Sequence, residues 1–514
     1  MALTPYCVAF RNNIGSLIRT LMISGTIVIP THAYGANECP ATDQRGPALA
    51  VPEKLHTVRA SDGLFGASPI FNVDDDHFWS GPGPGSLQKA GITALRFPGG
   101  EVADNYDWET SSISRTTEWP KEPRDENKRK QRTDYLEFLN AAKKIGADNI
   151  FFVVNVDSAF RAPGGSDANL QKYADKAARW VAAVKESGFK VKYWEIGNEV
   201  NLGRNAITAE EYAKVLNTYA TAMRKADPSI MIGAVGPFEI EESGFADTAG
   251  PTALKKIRAK GQNMYKPCGP DGKSSCSATL RDKSDSSELV KWWPTLLENA
   301  KNSFDFAVVH QYRVAQWPKK GNNFRRTQDL DTLKDILSKA KGKEVPVAIT
   351  EWNIYGDKKG LHSPMSRLLN ISLYLGNHAA SSVDYALYWP MRKGGTDWAS
   401  LLNGDESLSS TGKVFSLLSE IVPHADVAQT LLSPSVYVLK ISKNGTNHAL
   451  LINKGKKSAA VAFSDFAGKS ALLNSFEAEK NDNVKESSCT VRSEGKGRLQ
   501  VDLQPRSVVV IRSD

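Results

Sequence analysis

The chain of 514 residues contains little cysteine and histidine. Its 5 cysteines and 8 histidines form neither a closely spaced cysteine pair nor a His-Glu-x-x-His motif, the patterns typical of zinc sites. No Gly-x-Ser-x-Gly motif and no glycine-rich phosphate loop occurs in the chain either. These absences argue against metal-dependent hydrolases, serine hydrolases of that type and nucleotide hydrolases. The sequence therefore predicts no metal and no cofactor.

The composition is that of a globular protein with a large core. Hydrophobic residues make up 41% and charged residues 24% of the chain, and the mean hydropathy is -0.37. These values exclude a disordered, collagen-like or integral membrane protein. The formal net charge of +8 would suit an anionic partner. Because no nucleic-acid-binding motif is present, we expect no nucleic-acid partner, and the oligomeric state stays open.

The first 36 residues have the organisation of a secretory signal. Two arginines precede a mainly apolar run over 21–29, and small residues follow over 33–36. This order is typical of an exported protein. The apolar run is too short for a bilayer core, which requires about 20 residues. We therefore expect cleavage near residue 36, a secreted or periplasmic protein, and no membrane insertion.

Cysteine usage agrees with export. Removal of the signal leaves Cys39, Cys268, Cys276 and Cys489, and an even number in an exported protein suggests disulfides. Cys268 and Cys276 enclose a short, turn-rich loop. By elimination, Cys39 would then pair with Cys489.

The region 62–422 alternates short apolar runs with amphipathic helical stretches. Strands are predicted at 64–73, 92–97, 150–155, 191–196, 230–235, 306–310, 345–350 and 385–389. Apolar strands separated by helices indicate a parallel sheet buried on both faces, and eight such units fit a (β/α)₈ TIM barrel. An open doubly wound sheet is the alternative, but residues 71–77 after the first strand contain no phosphate-binding glycines.

The region 423–514 has a different pattern. Short alternating strands, separated by glycine, asparagine and lysine turns and by no amphipathic helix, predict an antiparallel β-sandwich. We expect residues 37–61 to contribute an N-terminal strand to this sandwich. The fold class is therefore a TIM barrel with a C-terminal β-sandwich domain.

Two glutamates follow predicted barrel strands at the end where such barrels carry their active sites. Glu199 follows the fourth strand and Glu351 the seventh. Two carboxylates flanking a pocket are what hydrolysis of a glycosidic bond requires. The rim also offers flat aromatic faces and amides for sugars, namely Trp108, Tyr312, Trp352, Trp389, Asn155 and Asn198, whereas Trp194 is expected to lie in the core.

These motifs, in this order along the chain, resemble those of a known group of enzymes. Gly197–Glu199 and Thr350–Asn353 resemble the paired signatures of clan A glycoside hydrolases. Leu95–Gly100, followed by Tyr106–Trp108, is most similar to glycoside hydrolase family 51, the α-L-arabinofuranosidases. Families 39, 30 and 79 share the scaffold and both glutamates, so they remain alternatives.

The resemblance implies a role for each matched residue. Glu199 would be the general acid/base, with a pKa raised by burial, and Glu351 the nucleophile of a retaining double displacement. Asn198 would hydrogen-bond the sugar 2-hydroxyl. Three further residues complete the implied subsite: Arg96 and Tyr312 hold Glu351 ionised, and His310 lies beside them. Trp389 would form the floor, and Asn155 and Trp352 are further candidates for substrate binding.

The sequence departs from family 51 after the Pro-Gly-Gly motif, where members commonly have Asn and this chain has Glu101. The segment 237–285 is also long for a barrel loop. The arabinose specificity therefore stays open, although a polysaccharide or oligosaccharide substrate is expected.

Basic loops give a second hypothesis, an acidic polysaccharide bearing uronic acids. The basic residues of the predicted rim loops, called here the predicted basic residues, are Lys121, Arg124, Lys128, Arg129, Lys130, Arg132, Arg313, Lys319, Lys320, Arg325, Arg326, Arg392 and Lys393. A solvated surface explains them equally well, because acidic residues are interleaved over 118–126. A non-catalytic glycan-binding protein is a third alternative, which the presence of both glutamates disfavours.

Overall fold

The computed structural model describes residues 38–39, 47–71, 73–113, 133–161, 166–202, 207–238, 292–312, 317, 324–354, 363–392, 399–466, 470–492 and 497–513. The predicted signal over 1–36, Cys268, Cys276 and all of the predicted basic residues except three lie outside these ranges. Of those three, the side chains of Arg325 and Arg326 are also outside the description.

Eight parallel strands of the described chain close into a barrel. Each strand pairs with the next, and the eighth pairs with the first. The barrel strands are Gly63–Ala67, Ala94–Phe97, Asn149–Val154, Tyr193–Ile196, Met231–Val235, Phe306–Gln311, Val347–Trp352 and Tyr385–Tyr388. They are almost wholly buried, as expected for a parallel sheet covered by helices. The predicted TIM barrel is confirmed.

Helices connect the strands, and several of them begin at side-chain caps. The described helices are Asp76–Ser80, Gly83–Lys89, Tyr135–Ile145, Asp157–Arg161, Ser166–Glu186, Ala209–Ala226, Trp292–Asn299, Arg325–Lys341, Pro364–Ala379 and Ser410–Ile421. Asp134 with Glu137 and Thr208 with Glu211 form reciprocal capping boxes, which satisfy amides at the helix start that have no intrahelical partner. Tyr135–Ile145 and Ala209–Ala226, for example, each bury an apolar face.

The C-terminal region forms a β-sandwich with its own apolar core, separate from that of the barrel. Its strands are Asp426–Ser433, Val436–Lys443, Thr446–Asn453, Ala459–Phe463, Ser470–Ala478, Val484–Arg492, Leu499–Leu503 and Ser507–Ser513. Together with two short N-terminal strands, Leu49–Ala50 and Val58–Arg59, they form a seven-stranded and a three-stranded sheet. The predicted sandwich fold is confirmed.

The N-terminal segment is paired with the sandwich at three places, of which the first is a β-bridge between Glu38 and Thr490. Leu49–Ala50 runs parallel to Val461–Ala462, and Val58–Arg59 pairs with the strand that begins at Asp426. The predicted disulfide between Cys39 and Cys489 is present, with 4.8 Å between its Cα atoms. It closes a loop of most of the chain, so it restricts the unfolded state strongly.

Three strand predictions needed correction, one of which concerns the sandwich strand Asp426–Ser433, which was not among the predicted ones. The first barrel strand ends at Ala67 rather than at residue 73, because Pro69 has no amide to donate and the chain turns there. The strand Val484–Arg492 was not predicted, since most of its side chains are at least partly exposed on the sheet edge and the apolar alternation is missing. None of the described helices has the length and apolar character that crossing a membrane would require.

Candidate active site

The site is built on a buried arginine. Arg96, in the second barrel strand, is fully buried, and its guanidinium donates to both carboxylate oxygens of Glu195 at 2.9–3.1 Å. It also donates to Glu351 and, at 3.0 Å, to the side-chain oxygen of Asn198. Burial alone would lower the pKa of Arg96, but the two glutamates raise it. One cation therefore positions residues from the fourth and seventh strands together.

The Glu351 carboxylate receives hydrogen bonds from three directions. Arg96 and the Gly100 amide, the latter at 3.1 Å, donate to one oxygen, and the Tyr312 hydroxyl donates to the other. The side chain is only 4% exposed. Three donors stabilise its negative charge and fix its orientation, as a nucleophile requires.

Glu199 lies in a sharp turn after the fourth strand. Gly197 has a φ of +82°, and a Cβ there would lie 2.5 Å from the Val200 side chain, so only glycine fits. Glu199 itself has a φ of +45°, a conformation uncommon for glutamate and concentrated at functional sites. Its side chain is 34% exposed, so Glu199 is open to a substrate while Glu351 lies deeper.

His310 connects the two glutamates. Its Nδ1 lies 2.9 Å from Glu199 Oε1 and 3.8 Å from Glu351 Oε2, and its Nε2 lies 3.2 Å from the Thr350 hydroxyl. That hydroxyl donates its proton to Glu195 at 3.3 Å, so it accepts from His310 Nε2–H. The Nδ1 atom consequently shares a single proton with Glu199 in the singly protonated pair.

The expected rise in the pKa of Glu199 is wrong for the unliganded protein. Burial does act in that direction, but His310, and then Arg96, lower the pKa of Glu199 below its ordinary value. In return, Glu351 and Glu199 raise the pKa of His310 against the lowering effect of burial. The proton of the pair therefore resides mainly on His310 before substrate binds.

The two glutamates lie close together. One oxygen of Glu199, one of Glu351 and one nitrogen of His310 all lie within 4.8 Å of one another. Such a set could in principle hold a metal ion. The guanidinium of Arg96 already contacts Glu351, which makes the position unfavourable for a second cation.

Aromatic side chains border this pocket. The rings of Tyr312 and Trp389 meet edge to face, with 5.8 Å between their centroids. A Cβ on Gly100 would lie 3.5 Å from Trp389 Nε1, so the backbone of Gly100 approaches that indole closely. The structure thus places Trp389 beside Tyr312 and Gly100, which both contact Glu351.

Two predicted substrate-binding residues lie elsewhere. Trp352 is fully buried and packs against Tyr374, Tyr388 and Phe415, because the pleat turns it away from the side that carries Glu351. The Asn155 amide is used locally, since it hydrogen-bonds the Tyr106 carbonyl and both the hydroxyl and the amide of Ser158. Within the described chain, neither residue joins the network around the glutamates. The expectation that Trp194 lies in the core is confirmed.

Glu195 and Thr350 were missed in the sequence. Glu195 is fully buried, and burial raises its pKa although Arg96 lowers it. A charged residue inside the apolar run Tyr193–Ile196 was the available signal, because a buried carboxylate requires a partner. A second buried charge, Arg96, occurs in another barrel strand, so the pairing could have been inferred.

Arg392 is the one predicted basic residue whose side chain lies in the described chain. It is not a free charge at the pocket, because it bonds Asp74 and Glu406, each at 3.3 Å, and lies over the Phe78 ring. The structure therefore assigns Arg392 a bridging role between the loops after the first and eighth strands.

The buried carboxyl of Asp74, which pairs with Arg392, leads to a prediction about the pH dependence of stability. Burial raises the pKa of Asp74 to about 7, although the Ile70 amide and Arg392 lower it. The folded state then binds more protons than the unfolded state above about pH 4, so this group's contribution to stability falls as pH rises to 7. We expect Asp74→Asn to become more stable relative to the wild type by up to about 1.4 kcal/mol per pH unit over that interval.

Urea unfolding at pH 5 and pH 7.5 measures this change. The exposed Asp335→Asn variant serves as the control. A stability difference between Asp74→Asn and the wild type that is the same at both pH values would contradict the prediction.

Comparison with known proteins agrees with this geometry. Residues 86–265 match the family described as "Alpha-L-arabinofuranosidase 1 domain". A protein of Halalkalibacterium halodurans named "Intracellular exo-alpha-(1->5)-L-arabinofuranosidase" is 31% identical over 293 residues, which are 52% of this chain and 48% of the relative. The chain therefore spans about half the length of that curated relative.

Solved structures share the fold over most of the chain. The family 51 α-L-arabinofuranosidase of Thermotoga petrophila RKU-1 has a TM-score of 0.58 at 17% identity, covering 90% of this chain and 98% of its own. A family 39 glycoside hydrolase of Bacteroides cellulosilyticus WH2 has a TM-score of 0.55 at 14% identity, covering 88% and 81%. The resemblance of this chain to the clan A glycoside hydrolases, and most of all to the α-L-arabinofuranosidases of family 51, is confirmed.

Proposed function

We propose that the protein is a retaining glycoside hydrolase that removes arabinofuranosyl units from a polysaccharide or oligosaccharide. The observation that carries the proposal is the pair of glutamates with different surroundings. Glu351 is buried under three donors, while Glu199 is accessible and shares a proton with His310. One carboxylate is thereby suited to attack and the other to proton transfer.

The first step is attack by Glu351 on the anomeric carbon. Glu199 receives the proton that His310 Nδ1 shares with it at 2.9 Å and passes it to the glycosidic oxygen as the bond from that oxygen to the anomeric carbon breaks, while Glu351 becomes an ester. Formation of the ester removes the negative charge that contributes most to the raised pKa of His310. His310 then binds its proton less strongly.

The second step reverses the roles. Glu199, now ionised, takes a proton from water, whose oxygen bonds the anomeric carbon and releases Glu351. Arg96 and the Gly100 amide remain positioned to receive the returning charge, so little reorganisation is needed.

Sugar specificity follows from the relatives by similarity. The Halalkalibacterium relative is named for action on α-1,5-linked arabinose, so an aryl α-L-arabinofuranoside and arabinan are the first substrates to test. The acidic-polysaccharide alternative depended on basic loops that lie outside the described residues, and Arg392 is already paired.

Retention of the anomeric configuration is the expected outcome of the reaction. The separation of at most 4.8 Å between one oxygen of each glutamate is close to the about 5–5.5 Å between the carboxyl groups of retaining enzymes and well below the about 6.5–9.5 Å of inverting ones. Proton NMR of the first-formed product of aryl arabinofuranoside hydrolysis identifies the anomer. A product of inverted configuration would exclude Glu351 as a nucleophile.

We also propose that the protein is exported, as the N-terminal pattern predicts. The Cys39–Cys489 disulfide supports an oxidising compartment, whereas the curated relative is named intracellular. We expect the full chain, expressed in a bacterial host, to be recovered outside the cytoplasm with an N-terminus near residue 37. Recovery in the cytoplasm with residues 1–36 attached and free thiols would refute export.

A further inference from the structure

Thr350 and Glu351 are consecutive residues, yet both side chains reach the same imidazole. The Thr350 hydroxyl lies 3.2 Å from His310 Nε2, and Glu351 Oε2 lies 3.8 Å from His310 Nδ1. In a regular strand, consecutive side chains point to opposite faces, so one of the two would point away from His310. Their common neighbour therefore requires a local departure from regular strand geometry.

A β-bulge in the seventh barrel strand provides this departure. The pairing with the sixth strand is regular up to the pair of Val309 with Ile349, and the next pair joins His310 to Glu351. The pairing with the eighth strand is irregular at the same place. Thr350 is therefore the extra residue of the bulge. Bulges re-aim side chains and are frequent next to active sites, and this one directs the Thr350 hydroxyl to the side that carries Glu351.

The Thr350 hydroxyl lies between His310 and Glu195. It donates to Glu195 Oε2 at 3.3 Å, and the same oxygen accepts from Arg96 at 2.9 Å. A carboxylate is a stronger acceptor than a neutral group. Because a hydroxyl has one proton, Thr350 offers His310 a lone pair and not a donor. Thr350 and Glu195 are both fully buried, so this arrangement is held in place by the surrounding barrel.

This arrangement determines which nitrogen of His310 exchanges its proton. Nε2 keeps a proton in order to donate to Thr350, so Nδ1 is the nitrogen that shares a proton with Glu199, 2.9 Å away. A neutral imidazole can otherwise carry its proton on either nitrogen. On Nδ1, that proton would donate to the Glu199 carboxylate and stabilise its ionised form. Glu199 would then be a poor acid.

The charges that face His310 act against Thr350. Burial lowers the pKa of the ring, but Glu351 and Glu199 raise it overall, with Arg96 as the opposing cation. Both glutamates lie on the Nδ1 side of the ring, so they favour a proton on Nδ1. In the part of the chain that the structure describes, the Thr350 hydroxyl is the one group that hydrogen-bonds Nε2. Thr350 thus opposes the tautomer that the carboxylates favour.

We propose that Thr350 is a positioning residue, which keeps one proton on Nε2 of His310 and so leaves the shared proton on Nδ1 available to Glu199. This inference rests on the proposed function and adds a residue to its proton transfer. The Glu199 side chain is accessible, so its carboxylate can turn to solvent when the shared proton is lost. Thr350 and Glu195 are buried, and the neutral ring therefore keeps its proton on Nε2.

The pH dependence of kcat/KM tests this role. Thr350→Val keeps the shape of the side chain but removes the acceptor, so the doubly protonated ring loses a hydrogen bond that the Nδ1–H ring does not need. On an arabinofuranoside with a poor leaving group, the basic limb should move to lower pH by about one unit, the value of one hydrogen bond. Thr350→Ser, which restores the hydroxyl, should return the limb to its wild-type position. On a dinitrophenyl arabinofuranoside, whose leaving group needs no proton, the limb should not move.

A matched control and a spectroscopic readout accompany the kinetics. Thr327 is also a buried threonine with a hydrogen-bonded hydroxyl, so Thr327→Val should keep the wild-type pH profile. Nitrogen-15 NMR of protein labelled at histidine follows His310 without turnover, with His310→Gln used to assign its signals. At a pH where the ring is neutral, its proton should lie on Nε2 in the wild type and on Nδ1 in Thr350→Val.

A basic limb at the wild-type position in the folded Thr350→Val variant would overturn the inference. The same shift on both substrates, or no recovery in Thr350→Ser, would overturn it as well. A neutral wild-type ring with its proton on Nδ1 would do so without any variant, which keeps the inference falsifiable if Thr350→Val does not fold.

Failure of the proposed function looks different, because the wild type would then hydrolyse no aryl arabinofuranoside. The NMR measurement decides the role of Thr350 in that case, since it requires no substrate. A proton that moves from Nε2 to Nδ1 in Thr350→Val, and stays on Nε2 in Thr350→Ser, would support the inference. The same tautomer in all three proteins would overturn it.

Discussion

Glu351→Ala is expected to lose activity on every substrate, by at least about 10⁴-fold in kcat, because no covalent intermediate can form. Glu199→Ala should behave differently. On a substrate with a poor leaving group it should lose about 10²–10⁴-fold, the usual contribution of general acid–base catalysis. On a dinitrophenyl glycoside, whose leaving group needs no proton, the first step should remain fast and the intermediate should accumulate.

Azide distinguishes the two variants. It attacks the intermediate without the help of a base, so it should increase turnover by Glu199→Ala and yield a glycosyl azide of retained configuration. Azide should leave Glu351→Ala without such a product of retained configuration. Glu210→Gln, at an exposed helix position, is the control for nonspecific effects. If both glutamate variants respond alike to leaving group and azide, the assignment of roles is wrong.

Arg96→Met is expected to cost about 3–5 kcal/mol of unfolding free energy, the usual cost of removing one partner of a buried ion pair. The substitution leaves Glu195 and Glu351 buried without their cation, since both bond to Arg96. Arg59→Met, which removes an exposed arginine paired with Asp426, should cost less than about 1 kcal/mol. Urea unfolding of the three proteins measures the difference.

The loss should depend on pH. The pKa of Glu195 is raised by burial even in the presence of Arg96, and without that cation it should rise further. Because the folded state would then hold a proton that the unfolded state releases, the variant should lose stability relative to the wild type as pH rises from 5 to 8. Arg96→Met/Glu195→Gln should recover part of the stability without recovering activity. A pH-independent loss, or none, would show that Arg96 does not neutralise these carboxylates.

Much of the fold was predictable because the signals are local. Seven of the eight predicted barrel strands lie within about two residues of the observed bounds, and only the first was too long. The helices Tyr135–Ile145 and Ala209–Ala226 lie in the predicted amphipathic stretches, and capping boxes mark their first turns. The exposed edge strand Val484–Arg492 was missed because it lacks a buried face and therefore the alternation that signals a strand.

The residues of the site were likewise predictable where the signal is local and not where it depends on the tertiary structure. Glu199 and Glu351 were found because each lies at or shortly after the carboxyl end of an apolar strand, and barrels carry their chemistry at those ends. The role of Trp352 was mispredicted because an apolar strand does not reveal which of its faces points into the barrel. An irregularity of register between Ile349 and Trp352 adds to this ambiguity.

The sequence by itself therefore determines the order of strands and helices, the closed barrel with its sandwich, and the two strand ends that carry carboxylates. These features follow from the spacing of the hydrophobic residues and from the helix-capping residues, which are signals within short stretches of the chain, and from the order of those stretches. Only the tertiary structure decided that Arg96 bridges Glu195 and Glu351 and that His310 shares a proton with Glu199. Hydrogen bonds and charge interactions depend on distance in space. Residues separated by 99, 111 or 255 positions meet only after the barrel closes.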